Sequence, residues 1–208
     1  MDDERSRKPR RTILFDLGGV VCRFSPDRRL AALARASGLS AEDVHQRLFV
    51  SGLDLDCDRG RYSLGQQCAQ ICARLGVTCS PPELAALWAS AFAPDADVLT
   101  IVRRVRSRAA TAILTNNGPL VHLMLQELFP ELAAAFDHLC FSYEVKSTKP
   151  EPQAFLGALE RLGVGPEQCV FVDDAEQNVQ GALGVGIDSV HFVSAQVLAT
   201  ALQERQLI

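Results

Sequence analysis

The 208-residue sequence contains no CxxC pair and no long basic run. The first absence removes the usual spacing of structural zinc and dithiol redox sites. The second, with a formal net charge of −4, removes the electrostatic footprint of a nucleic-acid-binding surface. The opening stretch MDDERSRKPRR is charged and has no apolar segment. It reads as neither signal peptide nor membrane anchor, and residues 1–11 are expected to form a flexible tail of a cytoplasmic protein. No internal repeat and no low-complexity segment interrupts the chain. EF-hand spacing is missing from the acidic stretch DLDCDRGRY, which excludes that kind of Ca²⁺ site.

What is present starts with seven scattered cysteines. Cys68 and Cys72 fall with Leu64, Ile71 and Leu75 on one helical face, so they read as small core residues in a reducing compartment. The length suits one substantial core with a smaller insertion.

The stretch ILFDLGGVV (13–21) reads as a buried strand that delivers Asp16 to its end and then turns on two glycines. Further β-rich runs recur at 110–115, 138–143, 169–174 and 189–193. Helical patterns lie between them: PLVHLMLQELF after Gly118, a face of Phe155, Leu159 and Leu162 closed by Gly163, and another with Val179, Ala182 and Leu183. Alternating strands and helices imply an α/β fold with a doubly wound, Rossmann-like parallel sheet. From Phe24 to Asp97 only helical signals occur, with capping-box-like starts at Ser40, Ser63 and Ser80. A core of 12–23 and 98–208 is therefore expected, with 24–97 inserted as a small helical cap.

Ligands of open parallel sheets bind beyond the carboxyl ends of the strands. There the sequence places Asp16, Thr115-Asn116-Asn117, a loop with Lys146 and Lys149, and Asp173-Asp174. Three carboxylates on one rim repel unless a cation lies between them, and hard oxygen ligands favour Mg²⁺. Lys149, Thr115 and the following backbone N–H groups suit a tetrahedral anion such as phosphate. An aspartate beside a metal and an anion site can act as a nucleophile in phosphoryl transfer.

The ordered segments FDLGGV, ILTNN, KPEPQAF and VFVDDAEQN resemble the motifs of the haloacid dehalogenase superfamily over nearly the whole chain. The cap words DRGRYSLGQ and LWASAF, and the core words LTNNGPLVH and FVDDAEQNV, are most similar to its phosphatase branch, among α-D-glucose-1-phosphatase-like members. The resemblance implies a Mg²⁺-dependent hydrolase of a small phosphorylated metabolite, with no nucleic-acid or membrane partner. It implies Asp16 as nucleophile and metal ligand, Gly18 as a carbonyl ligand, and Asp174 with Asp173 completing the metal site. Thr115 and Asn116 would bind the phosphoryl group, Lys149 would balance its charge and that of Asp16, and Asn178 would support the acidic pair.

The chain departs from that pattern at two positions. Gly18 stands where these phosphatases usually carry a second aspartate as general acid and base, a role that typically contributes about 10²- to 10⁴-fold. Its absence favours good leaving groups, including the anomeric oxygen of a sugar 1-phosphate. Lys146 replaces a common glycine and reads as a surface charge. Two other readings stay open: a 2-haloacid dehalogenase using Asp16 without metal, and a non-catalytic phosphate-binding protein. His122 and Trp88 read as packing residues, whereas Asp56, Asp58, Arg59 and Arg61 crowd a cap loop that could face the site.

Overall fold

The computed structural model describes residues 11–208. Apart from Arg11, the expected tail lies outside the described residues. In chain order, β1 (Thr12–Phe15) is followed by β2 (Cys22–Phe24), α1 (Pro26–Ser37), α2 (Ala41–His45), a π-helical turn at Gln46–Val50, α3 (Leu53–Asp58), α4 (Leu64–Leu75), α5 (Pro81–Ala89) and β3 (Phe92–Pro94). The chain then alternates through α6 (Ala96–Val105), β4 (Ala110–Thr115), α7 (Pro119–Leu128), α8 (Pro130–Ala133), β5 (His138–Phe141), α9 (Ser142–Val145) and α10 (Pro152–Leu162). It closes with a 3₁₀ turn at Pro166–Gln168, β6 (Cys169–Asp173), α11 (Glu176–Gly184), β7 (Asp188–His191) and α12 (Ala195–Glu204).

The main sheet has the order β5-β4-β1-β6-β7, and every pairing in it is parallel. The period of two along a strand sends Ile13 and Phe15 to one face, with Ile113, Val170 and Val172, and Leu14 to the other, with Leu114 and Phe171. Helices cover both faces, which is why these strands are apolar without interruption in the sequence.

The helices between β1 and β4 do not form a separate core. Leu33, Val44, Leu48, Cys57, Ile71 and Leu84 join the same buried cluster as Ile13 and Phe15, and α5 packs along α7. Local signals set their starts: Ser63 with Gln66 and Ser80 with Glu83 form reciprocal capping boxes, and Ser40 accepts the Asp43 amide.

One expectation is corrected here. The stretch read as wholly helical contains β3, which pairs antiparallel with β2 through Phe24↔Phe92 and Cys22↔Pro94. Strands of three residues are too short to show a period of two. This ribbon carries the chain from β1 to the helices and back. The strand expected over 138–143 also stops at Phe141, because Ser142–Val145 turn helical.

Candidate active site

The strand order places the chemistry. Asp16 follows β1 directly, while Thr115 and Asp173 end β4 and β6, the strands on either side of it. Lys149, from the loop after α9, reaches into this rim. Its Nζ donates to Asp16 Oδ1 at 2.7 Å, to Asp173 Oδ2 at 2.7 Å and to the Leu114 carbonyl at 2.9 Å. The side chains of Lys149 and Asp173 are 1% and 0% exposed, so these charges are stabilised by one another rather than by water.

Burial pushes the Asp16 carboxyl up to about 6 against the pull of Lys149, with the charge of Asp173 adding to the rise. Burial alone would lower the Lys149 ammonium, but Asp16 and Asp173 outweigh it and hold Lys149 above its ordinary value. Lys149 is therefore a fixed cation at neutral pH.

The loop that carries it is held in register by Asn116. The Asn116 side chain donates to the Lys149 carbonyl at 2.8 Å and accepts the Lys149 amide at 2.8 Å. Asp173 is held as firmly: its Oδ1 accepts the Ala175 amide at 2.8 Å, and Asn178 Nδ2 lies 3.1 Å from both carboxylate oxygens. Thr115 Oγ1 accepts from Asn117 Nδ2 at 2.7 Å.

Asp174 stands differently. It is exposed and lies against Gly19, whose φ is +99°. A β-carbon on Gly19 would overlap the Asp174 carboxylate, so this backbone approach requires glycine. Burial, then the charge of Asp173, raises the Asp174 carboxyl. One oxygen each from Asp16, Asp173 and Asp174 lies within 4.8 Å of the others. Beside them, Asn178 Oδ1 is buried without a hydrogen-bond partner among the described residues. Such a set of hard oxygen donors fits Mg²⁺.

A cavity of about 170 Å³ opens on Asp16, Gly18, Thr115, Asn116 and Lys149. It is also lined by Phe24 at the end of β2, by Arg29 of α1, and by Asp54 and Asp58 of α3. A β-carbon on Gly18 would meet the Phe24 ring at 3.4 Å, so Phe24 packs where a longer residue 18 would point. α3 is tied to the rim by Ser142, which donates to the Asp58 carbonyl at 2.7 Å and accepts the Asn117 amide at 3.0 Å.

Other polar residues singled out from sequence lie elsewhere. Lys146 is exposed with φ +58°, a backbone setting that suits the glycine it replaces. His122 stacks on Phe141 and bonds the Tyr143 hydroxyl at 2.8 Å. The stretch read as a cap loop is helical as far as Asp58, the end of α3; Asp56 pairs with Arg61 and Arg59 with Glu151, and of these four residues Asp58 lines the cavity. Arg29 and Asp54 were not anticipated. The signal for Arg29 was its place in the buried helical stripe Arg29, Ala32, Leu33.

Known proteins place this geometry in context. The chain is 24% identical over 187 residues to a D-ribitol-5-phosphate phosphatase of Bacteroides thetaiotaomicron, covering 86% of this chain and 90% of that one. A haloacid-dehalogenase-family enzyme of the same organism, solved in complex with magnesium and inorganic phosphate, shares the fold with a TM-score of 0.75 and 23% identity over 86% of this chain and 92% of its own. The L-2-haloacid dehalogenase of Xanthobacter autotrophicus, with chloropropionic acid covalently bound, superposes with a TM-score of 0.61 and 22% identity, covering 95% of this chain and 84% of that one. The family model for haloacid dehalogenase-like hydrolases matches residues 10–186, and the chain belongs to that family.

Proposed function

We propose that the protein is a Mg²⁺-dependent phosphatase of a small phosphorylated metabolite of the sugar or polyol type, acting through an aspartyl phosphate on Asp16. The carrying observation is the buried Lys149 bridge between Asp16 and Asp173 beside the exposed Asp174. The phosphatase relative and the neighbour solved with magnesium and phosphate support it. Asp16, Asp174 and the Gly18 carbonyl would hold Mg²⁺, with Asp173 behind them, because its oxygens are already engaged by Lys149, Ala175 and Asn178. The ion would supply positive charge to the phosphoryl oxygens.

An Asp16 carboxylate oxygen attacks phosphorus as the ester P–O bond breaks and the alcohol oxygen leaves with the bonding pair. Thr115 and the Asn116 amide hold the equatorial oxygens, and Lys149 offsets their charge and orients Asp16. Water then attacks the phosphorus of the aspartyl phosphate, restoring the carboxylate and releasing inorganic phosphate. Because Gly18 provides no acid, the departing oxygen carries its own charge, which favours acidic alcohols. Residues 24–97 act as a cap over the core of 12–23 and 98–208, excluding bulk water. Among the described residues no helix is long and apolar enough to cross a membrane, and seven free thiols suit the reducing cytoplasm.

Phosphate release from acetyl phosphate, p-nitrophenyl phosphate and sugar 1- and 6-phosphates tests this, with Mg²⁺ and with EDTA. Turnover that needs Mg²⁺, vanishes in Asp16→Asn and is fastest with good leaving groups is the expected result. Metal-independent halide release from a 2-haloacid, without phosphate release, would establish the dehalogenase reading instead.

A further inference from the structure

Arg29 is the most unusual charge outside the rim. It is 5% exposed, and its Nε and Nη2 are buried without a hydrogen-bond partner among the described residues. Three aromatic rings hold the guanidinium: its carbon lies 4.5 Å from the centroid of Trp88, 5.3 Å from Phe24 and 5.4 Å from Phe92. Rings stabilise the cation through their faces but accept none of its in-plane N–H groups. Leaving such donors unpaired is costly, and native proteins seldom do so without an external acceptor.

The accessible part of the guanidinium is its Nη1 end, and the cavity gives that end room for an acceptor. Arg29 lines the same 170 Å³ space as Asp16 and Thr115. Asp54 and Asp58 line it too, and their i, i+4 spacing puts them on one face of α3. Their charges favour the guanidinium, yet among the described residues Arg29 forms no ion pair with either. Burial raises both carboxyls, and for Asp58 the charge of Asp54 raises it further.

Resting on the phosphatase reading, we propose that Arg29, Asp54 and Asp58 form the leaving-group subsite, and that it selects a neutral, polyhydroxylated alcohol. Arg29 donates to an oxygen of the leaving group, and the two aspartates accept from neighbouring hydroxyls. A second phosphate or a carboxylate would meet Arg29 but would also meet Asp54 and Asp58, which makes a bisphosphate or a phosphorylated hydroxy acid a poor ligand. A plain alkyl group would strip water from the cavity-facing end of Arg29 and offer it no acceptor. Phe24, Arg29 and Asp54 also wall a second, mostly apolar cavity of about 210 Å³ beside Leu30 and Phe49.

Trp88 is the chain's single tryptophan and stacks on Arg29, so it reports occupancy of this subsite directly. Full-length Asp16→Asn protein in Mg²⁺ is titrated with ribitol 5-phosphate, fructose 1-phosphate, fructose 1,6-bisphosphate, phosphoglycolate and inorganic phosphate, following Trp88 emission and heat. The expected result is an emission change with the two monophosphates and at least about tenfold tighter binding of them than of the other three. Arg29→Lys, Asp54→Asn and Asp58→Asn, each in that background and checked for folding by circular dichroism, should bring the affinities within about threefold of one another. Equal affinities before substitution, or a preference that survives all three folded variants, would overturn the subsite. Selective binding without turnover by the unsubstituted protein would sustain the subsite and remove the phosphatase reading, so the two ideas fail separately.

Discussion

The carboxylate of Asp174 occupies the space that a β-carbon on Gly19 would fill, and the glycine holds φ +99°. The second acid of the Asp173-Asp174 pair is therefore accommodated by a residue that follows the adjacent strand β1, through the absence of a side chain. Asp174 can reach the region of Asp16 because nothing projects from position 19 to hold it off.

Gly19→Ala tests that relationship. The substitution imposes a strained backbone, worth about 1–3 kcal/mol, and drives a methyl into Asp174. Displacing Asp174 is expected to raise the Mg²⁺ concentration for half-maximal phosphatase activity by about 10–100-fold. A Mg²⁺ titration of activity, alongside a thermal melt, checks it. An unchanged Mg²⁺ requirement in a folded variant would remove Asp174 from the proposed metal site.

Lys149→Met removes the cation shared by Asp16 and Asp173. Breaking a buried ion group by deleting one partner costs about 3–5 kcal/mol, because the remaining charge is left uncompensated. Loss of activity and a stability loss of that size are expected in denaturant titrations. Adding Asp173→Asn should recover part of the stability, since one of the two stranded carboxylates is then neutral. A double variant less stable than Lys149→Met would show that Asp173 is held mainly by Asn178 and Ala175.

These residues also show what a sequence can reveal. β1, β4 and β6 were legible because both faces are buried and their runs are apolar throughout, and Asp16, Thr115 and Asp173 because each lies at the end of such a run. β2 and β3 were not legible, since pairing across about seventy residues of helix leaves no local trace in three-residue strands. Arg29 follows Arg28 in a charged helix start, and only the apolar spacing to Ala32 and Leu33 separates the buried arginine from its neighbour. The Asn116 side chain bonds the Lys149 backbone, a contact that no motif encodes.

Ser142→Ala addresses how the helical segment is aligned with the rim. One hydroxyl joins the Asp58 carbonyl to the Asn117 amide, and removing it leaves both without that partner. A stability loss of about 1–3 kcal/mol is expected. Because α3 carries Asp54 and Asp58 of the proposed leaving-group subsite while the Thr115 loop is the proposed phosphoryl site, KM for a polyol phosphate should rise more than kcat falls. Steady-state kinetics with a polyol phosphate and with acetyl phosphate separate the effects. An equal loss of kcat on both would show that Ser142 acts on the loop alone.

Far from the site, Asp188 sets a pH dependence of stability. Arg205 donates to it through two nitrogens, each at 2.8 Å, and this pairing holds the Asp188 carboxyl below its ordinary value of 3.8. A carboxylate whose pKa is lowered by folding stabilises the native state fully above the unfolded value. That contribution fades as pH falls through the lowered folded value. Asp188 and Arg205 are partly exposed, so solvent screens the pair and its contribution is below about 1 kcal/mol. Asp188→Asn is therefore expected to be slightly less stable near neutral pH, by an amount that is constant through the mildly acidic range and shrinks below 3.8. Denaturation midpoints of both proteins across that range check the sign. A gap that widened on acidification would mean that Asp188 titrates above its unfolded value, and that burial outweighs the hydrogen bonds from Arg205.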